Sequence, residues 1–217
     1  MSRNPTTDGA RRTRDRILDA ALELFNDRGS AAVTTNHVAA RAGISPGNLY
    51  YWFSDKNEIV RELYGRLAAA DAAMWDAGGG SPANLTPDEL LGRLSAEVVL
   101  SRRYAFLARE LLGLLHSDPV LASAYGAVRA RRTAAFRALA HLWREQGVIR
   151  CLDDREIADL VQALWIIAEM WLTVGELDGT YVDAADGNRL LRVVLQPYLL
   201  HEAKADEVTV VRAACQV

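Results

Sequence analysis

Apolar residues recur along this chain at helical spacing, and nowhere do they alternate as a half-buried strand requires. Ile17, Leu18, Ala21, Leu22 and Phe25 fall on one face of a first helix, with Thr13 as its expected cap and Gly29 as its stop. Thr34 opens a second helix, where Val33 before the cap and Val38 inside it form a hydrophobic staple. That helix carries Val38, Ala39 and Ala42 and ends at Gly43, leaving Ile44 to fold back on it. Ser45 followed by Pro46 then supplies a capping hydroxyl and a first-turn proline for a short, aromatic third helix reaching about Phe53. Asp55 and Glu58 are spaced as a capping box for a fourth helix, which the glycine-rich stretch 78–82 breaks. Further helices are predicted over 87–102, 104–116, 119–146, 154–176 and 187–203. The pattern predicts an all-α protein.

Composition strengthens that expectation. The 217 residues include 35 alanines and only 6 prolines, and half are apolar, enough for a sizeable core. No uncharged apolar run of about 18 residues offers a membrane span and no apolar segment near the N-terminus offers an export signal, so a cytoplasmic protein with no membrane partner is expected. Cys151 and Cys215 cannot by themselves build a disulfide scaffold or a zinc site, and Cys151 is read as a structural thiol. A net charge of -3 argues against nucleic-acid binding by bulk electrostatics. Charge is nevertheless concentrated: residues 1–16 hold Arg3, Arg11, Arg12, Arg14 and Arg16 against Asp8 and Asp15. Any DNA contact must be local.

The local unit is 34–53: a two-turn helix, a Gly-apolar-Ser turn and a second helix, the layout of a helix-turn-helix. A capped start on the second helix points backbone N–H groups and the positive dipole end at phosphate. Ser45 and Gly47 are small enough for close approach to a duplex. Tyr50 and Tyr51 are adjacent, so both cannot face the core and at least one is expected at the surface. The same residues would also build a tight corner in a helical bundle, and Asn48 would cap as readily as read a base. No enzyme signature competes: there is no phosphate loop, nucleophile elbow or metal-ligand spacing, and no cofactor is expected.

The wider stretch 16–60, RILDAALELFNDRG…VTTNHVAARAGISPGNLYYWFSDKNEIV, resembles the TetR family of bacterial transcriptional regulators. The resemblance rests on A-x-x-L-F, T-T-x-x-V-A, A-G-I-S-x-G-x-L-Y and F-x-x-K. It implies a homodimer with an N-terminal three-helix DNA-binding domain and a larger helical domain for dimerisation and ligand binding. The boundaries expected are a basic arm at 1–12, the DNA-binding domain at 13–60, the larger domain at 61–203 and a tail at 204–217. Position by position, it places Thr34, Thr35, Asn36, Ser45, Pro46, Gly47, Asn48, Tyr50, Tyr51, Trp52 and Lys56 at DNA, with Leu49 and Phe53 in the core. Many relatives carry His where this chain has Trp52, so an indole N–H would have to donate there. Arg11, Arg12 and Arg14 are read either as a minor-groove arm or as a solvated tail.

In the larger domain, the run 156–176 is apolar on nearly every side and must be covered on every side. Leu160, Leu164 and Trp171 there, with Leu191, Val194 and Tyr198 further on, are the expected faces of a four-helix interface between two chains. Tyr104, Phe106, Leu111, Leu115, Tyr125, Trp143 and Trp165, with Glu169 as the polar group, are the expected lining of an effector cavity. The function expected is a repressor released from a palindromic double-stranded DNA operator by a small hydrophobic effector. An activator of the same fold, and a helical ligand-binding or enzymatic protein with an inert motif, are the alternatives.

Overall fold

A computed structural model describes residues 7–76, 85–179 and 183–200. Among these, helices α1 (Asp8–Arg28), α2 (Thr35–Arg41), α3 (Pro46–Trp52), α4 (Lys56–Asp76), α5 (Pro87–Arg103), α6 (Ala105–Ser117), α7 (Pro119–Gln146), α8 (Asp154–Asp178) and α9 (Ala184–Leu195) account for the regular structure, with a 3-10 turn at Gln196–Tyr198. The protein is all-α, as its sequence pattern requires. The expected breaker at 78–82 and the tail at 204–217 lie outside the described residues.

Two boundaries differ from expectation. The first helix starts at Asp8, because Thr7 supplies the cap by accepting from the Ala10 amide at 3.2 Å, with Asp8 against the helix dipole. Thr13 lies inside that helix and donates its hydroxyl to the Gly9 carbonyl one turn back. Arg11, Arg12 and Arg14 therefore stand on a helix, not on an arm, and Arg14 pairs with Glu62 at 2.7 Å. The last helix begins at Ala184 behind an Asp183–Asp186 capping box and gives way to the 3-10 turn carrying Pro197.

The chain forms two compact units. The first comprises the residues through Asp71 together with Arg103–Tyr125; the second comprises Ala72–Arg102 with Gly126–Val217. The expected division near residue 60 thus places α6 in the larger domain, whereas by packing α6 belongs with the helix-turn-helix. The core of the first unit is Ile17, Leu18, Phe25, Val38, Leu49, Phe53, Ile59 and Leu63, with Phe106 of α6 laid on Phe25 at 5.1 Å between ring centres. Asn26 seats α6 through polar bonds: its Nδ2 donates to the Arg103 carbonyl at 2.9 Å and its Oδ1 accepts from the Phe106 amide at 3.0 Å. Glu110 of α6 accepts from the Ser30 amide at 2.8 Å and from the Ser30 hydroxyl. Gly29 makes this approach possible, since its φ is +77° and a Cβ there would stand 2.9 Å from Glu110 Oε1.

In the second unit α8 and α9 pack along each other. Gly187 of α9 lies so close to Trp171 of α8 that a Cβ would sit 2.9 Å from the indole Cδ2. Ile157, Leu160, Val161, Trp171 and Leu172 of α8 are buried, as are Leu191 and Leu195 of α9. By length and composition Asp154–Leu177 is apolar enough to cross a bilayer, with Glu169 and Glu176 interrupting any uncharged run. It starts behind an Asp153–Glu156 capping box. Cys151 is disulfide-bonded, not the free structural thiol expected.

Candidate functional site

Local chemistry builds the helix-turn-helix as its sequence specifies. The Thr34 hydroxyl accepts from the His37 amide at 3.3 Å, and His37 Nδ1 accepts from the Thr34 amide at 3.3 Å. His37 closes this capping box. The α2–α3 turn is held by the Ile44 amide donating to the Ala39 carbonyl at 3.0 Å. Ser45 caps α3 by accepting from the Asn48 amide at 3.2 Å, and Pro46 occupies the first turn.

The outer surface of this unit is polar and open. Asn36, Ser45, Pro46, Gly47 and Asn48 are exposed, and a Cβ at Gly47 would meet nothing within 4 Å. Tyr50 and Tyr51 are 53% and 51% exposed. The Tyr50 hydroxyl is 3.0 Å from Thr35 Oγ1, tying the recognition helix to the start of α2 through exposed oxygens. Both tyrosines thus face outward, one more than the sequence argument required.

Trp52 corrects the sequence reading. It is only 8% exposed, stacks edge-on against Tyr51 at 5.0 Å, and its Nε1 is buried without a hydrogen-bond partner. On a helix, the position after two outward tyrosines turns back to the core. Trp52 therefore packs and does not donate to phosphate. Lys56 has a task that its sequence did not reveal: its Nζ donates to the Ser30 carbonyl at 2.5 Å and to the Val33 carbonyl at 3.1 Å, pinning the α1–α2 connection to α4.

Among the residues expected at an effector, Tyr104 and Phe106 are buried in the first unit, and Tyr125 faces Tyr64 with ring centres 6.4 Å apart. Leu111 and Leu115 are half-buried on α6. Tyr104 stands at the N-cap of α6, Phe106, Leu111 and Leu115 lie on α6 and Tyr125 on α7, all within the first unit. A cavity of about 50 Å³ lies elsewhere, within the second unit. Its walls are Leu90, Leu94 and Glu97 of α5, Phe136, Leu139, Ala140 and Trp143 of α7, Ile149, Leu160, Val161, Leu164, Trp165 and Ala168 of α8, and Leu195 of α9, Ile149 standing in the α7–α8 connection. Trp143 and Trp165 are the two expected lining residues found there; Glu169 is half-buried and off the wall. Leu160 and Leu164, expected between subunits, face this cavity instead. Of the other expected interface residues, Trp171 and Leu191 are buried within the unit and Val194 and Tyr198 are half-buried. Glu97, Leu90 and Leu94 escaped the sequence reading because α5 shows an ordinary amphipathic stripe.

The first unit also holds an ion pair between Asp118 and Arg61. Asp118, 4% exposed, caps α7 by accepting from the Val120 and Leu121 amides at 3.0 and 3.1 Å, and it receives Arg61 Nε at 2.6 Å. Burial pushes this carboxyl up, but Arg61 and the two amides outweigh it and hold it below the ordinary value.

A capped recognition helix with outward tyrosines, followed by a helical unit enclosing an apolar cavity, defines a helix-turn-helix regulator fold. Residues 17–63 match the family model described as bacterial regulatory proteins, tetR family, and residues 80–206 match that described as bacterial transcriptional repressor. The chain belongs to the TetR family of bacterial transcriptional regulators. It is 36% identical over 59 residues to the regulator AcrR of Shigella flexneri, a match spanning 27% of either chain. To YdeS of Bacillus subtilis strain 168, an uncharacterised regulator, it is 28% identical over 173 residues, 78% of this chain and 84% of that one. A TetR-family regulator from Marinobacter aquaeolei VT8 superposes with a TM-score of 0.78 at 29% identity, covering 94% of this chain and 98% of its own.

Proposed function

We propose that this protein is a cytoplasmic repressor that binds an approximately palindromic double-stranded operator as a homodimer and is released by a small hydrophobic effector. The observation that carries the reading is the exposed surface of Asn36, Asn48, Tyr50 and Tyr51, with half-buried Thr35 beside them, around the capped start of α3. Hydroxyl and amide groups there can meet base edges while the helix N-terminus meets phosphate. Arg12 and Arg16, both exposed on α1, supply local positive charge in a chain that is acidic overall.

Effector release draws support from the second unit. Its cavity is lined almost wholly by apolar and aromatic side chains. Proteins of the same fold have been solved with small molecules: SmeT of Stenotrophomonas maltophilia with triclosan, and a regulator from Saccharomonospora viridis with choline. At about 50 Å³ the space takes a few waters, so a larger effector must part the wall side chains as it enters. A ligand that prefers the parted state shifts the dimer toward it, and release of DNA follows if that state spaces the recognition helices wrongly.

The test is a mobility-shift assay on DNA from upstream of the protein's own gene and its neighbours. A discrete complex on a palindromic site, abolished by an apolar effector, is expected. Absence of any shift across that region at low salt would favour a ligand-binding protein with an inert motif.

A further inference from the structure

Ser30 stands buried in the α1–α2 connection, and each of its three polar groups is held by a charged side chain from another helix. Its amide donates to Glu110 Oε1 of α6 at 2.8 Å, and its hydroxyl donates to Glu110 Oε2. Its carbonyl accepts from Lys56 Nζ of α4 at 2.5 Å, and the same ammonium reaches the Val33 carbonyl at 3.1 Å. A buried turn residue needs its polar groups paired, but nearby backbone or water would suffice for that. Charge-assisted bonds arriving from two helices are stronger than neutral ones and fix where the connection stands. All of these residues lie in the first unit.

The start of α2 follows at once. Val33 is fully buried, Thr34 caps α2, and Thr35 Oγ1 stands 3.0 Å from the Tyr50 hydroxyl of α3. A connection anchored at Ser30 and Val33 therefore hands its position directly to Thr35 and Asn36, at the edge of the recognition surface. We infer that Glu110 is a positioning residue for DNA binding, with Lys56 as its counterpart, the two together seating the α1–α2 connection and with it the first turn of α2. This rests on the reading of the α2–α3 surface as the DNA interface. Electrostatics gives the role of Glu110 a distinctive sign. A carboxylate on a DNA-binding unit repels a polyanion, so by charge alone its removal should tighten binding. Removal of a positioning group should weaken it.

Variants of the full-length protein are compared by mobility shift on the upstream duplex that the unsubstituted protein binds, and by hydrogen exchange without DNA. Glu110→Ala should weaken the complex on the order of tenfold, the scale of one lost hydrogen bond to a charged group. Its amides at His37 and Val38, in the first turn of α2, should exchange faster. Glu110→Gln removes the charge but keeps an oxygen for the Ser30 amide, and should restore both affinity and exchange. Lys56→Ala should weaken binding with the slope of log affinity against log salt unchanged, whereas loss of a phosphate contact lowers that slope by about one. Should Glu110→Ala fail to fold, Ser30→Ala removes only the hydroxyl donor and should weaken binding in the same direction. Unchanged or tighter binding by folded Glu110→Ala or Ser30→Ala overturns the role of Glu110, and a reduced slope in Lys56→Ala overturns that of Lys56. If the unsubstituted protein shifts no duplex, the DNA reading fails, and exchange at His37 and Val38 alone decides whether Glu110 seats α2.

Discussion

Tyr51 and Trp52 are neighbours on one recognition helix with opposite tasks. Tyr51 and its predecessor Tyr50 are half-exposed, whereas Trp52 is buried beside them. Substituting Tyr50 or Tyr51 by Ala should weaken operator binding by ~1–3 kcal/mol if either makes a good base contact, with the denaturant midpoint unchanged. Trp52→Ala should instead lower folding stability by about 3–5 kcal/mol, the range for removing a buried aromatic. Mobility shifts and urea melts on the same variants separate the two, and a Trp52 variant that melts normally yet fails to bind DNA would reverse the assignment. Asp118 adds a pH dependence of known sign. Its carboxyl titrates below 3.8 in the folded state, so its contribution to stability is complete above that value and disappears as pH falls through the lower, folded value. Asp118→Asn should therefore flatten the acid side of the stability–pH curve, read by urea melts between pH 2 and 6.

Elements were legible in the sequence where local rules decide them. Caps at Thr34 and Ser45 and the stop at Gly29 are set by residues within one turn, and each helix boundary there follows its sequence signal. The start of α1 was not legible, because Thr7 and Thr13 offer the same capping hydroxyl and only the folded chain shows that Thr13 is satisfied inside a helix. The sequence set Phe106 on the wall of an effector cavity, whereas it is buried against Phe25. What decides it is a long-range set of polar bonds from Asn26, a residue that no local pattern marks. Asn26→Ala should strand the Phe106 amide and the Arg103 carbonyl and destabilise the fold by about 1–3 kcal/mol. Hydrogen exchange should show the loss first at the N-terminal turn of α6; unchanged protection there would mean that Phe25 and Phe106 hold α6 unaided.

At the scale of the whole molecule, one chain leaves a face uncovered. Leu160, Val161, Leu164 and Trp165 of α8 turn to the cavity, while Ile166, Val174 and Leu177 of the same helix and Val193 of α9 are exposed, Leu177 at 81%. Scattered exposed aliphatics are ordinary, but three at helical spacing along α8, with a fourth on α9 packed against it, are surface of the kind that a partner chain covers. The sequence foretold a helix needing cover on all sides but assigned Leu160 and Leu164 to the subunit interface, since periodicity cannot tell a cavity wall from a subunit contact. With Ile166, Val174, Leu177 and Val193 as the shared face, a two-fold pair of α8–α9 units would make a four-helix contact and fix two recognition helices about 34 Å apart or somewhat more. Sedimentation at micromolar concentration should give a dimer, and Ile166→Glu with Leu177→Glu should give a folded monomer, because each copy would bring buried like charges to the contact. That monomer should lose affinity for a full palindrome far more than for an isolated half-site, since its two halves no longer bind as one. A double variant that remains dimeric would place the interface elsewhere on the chain.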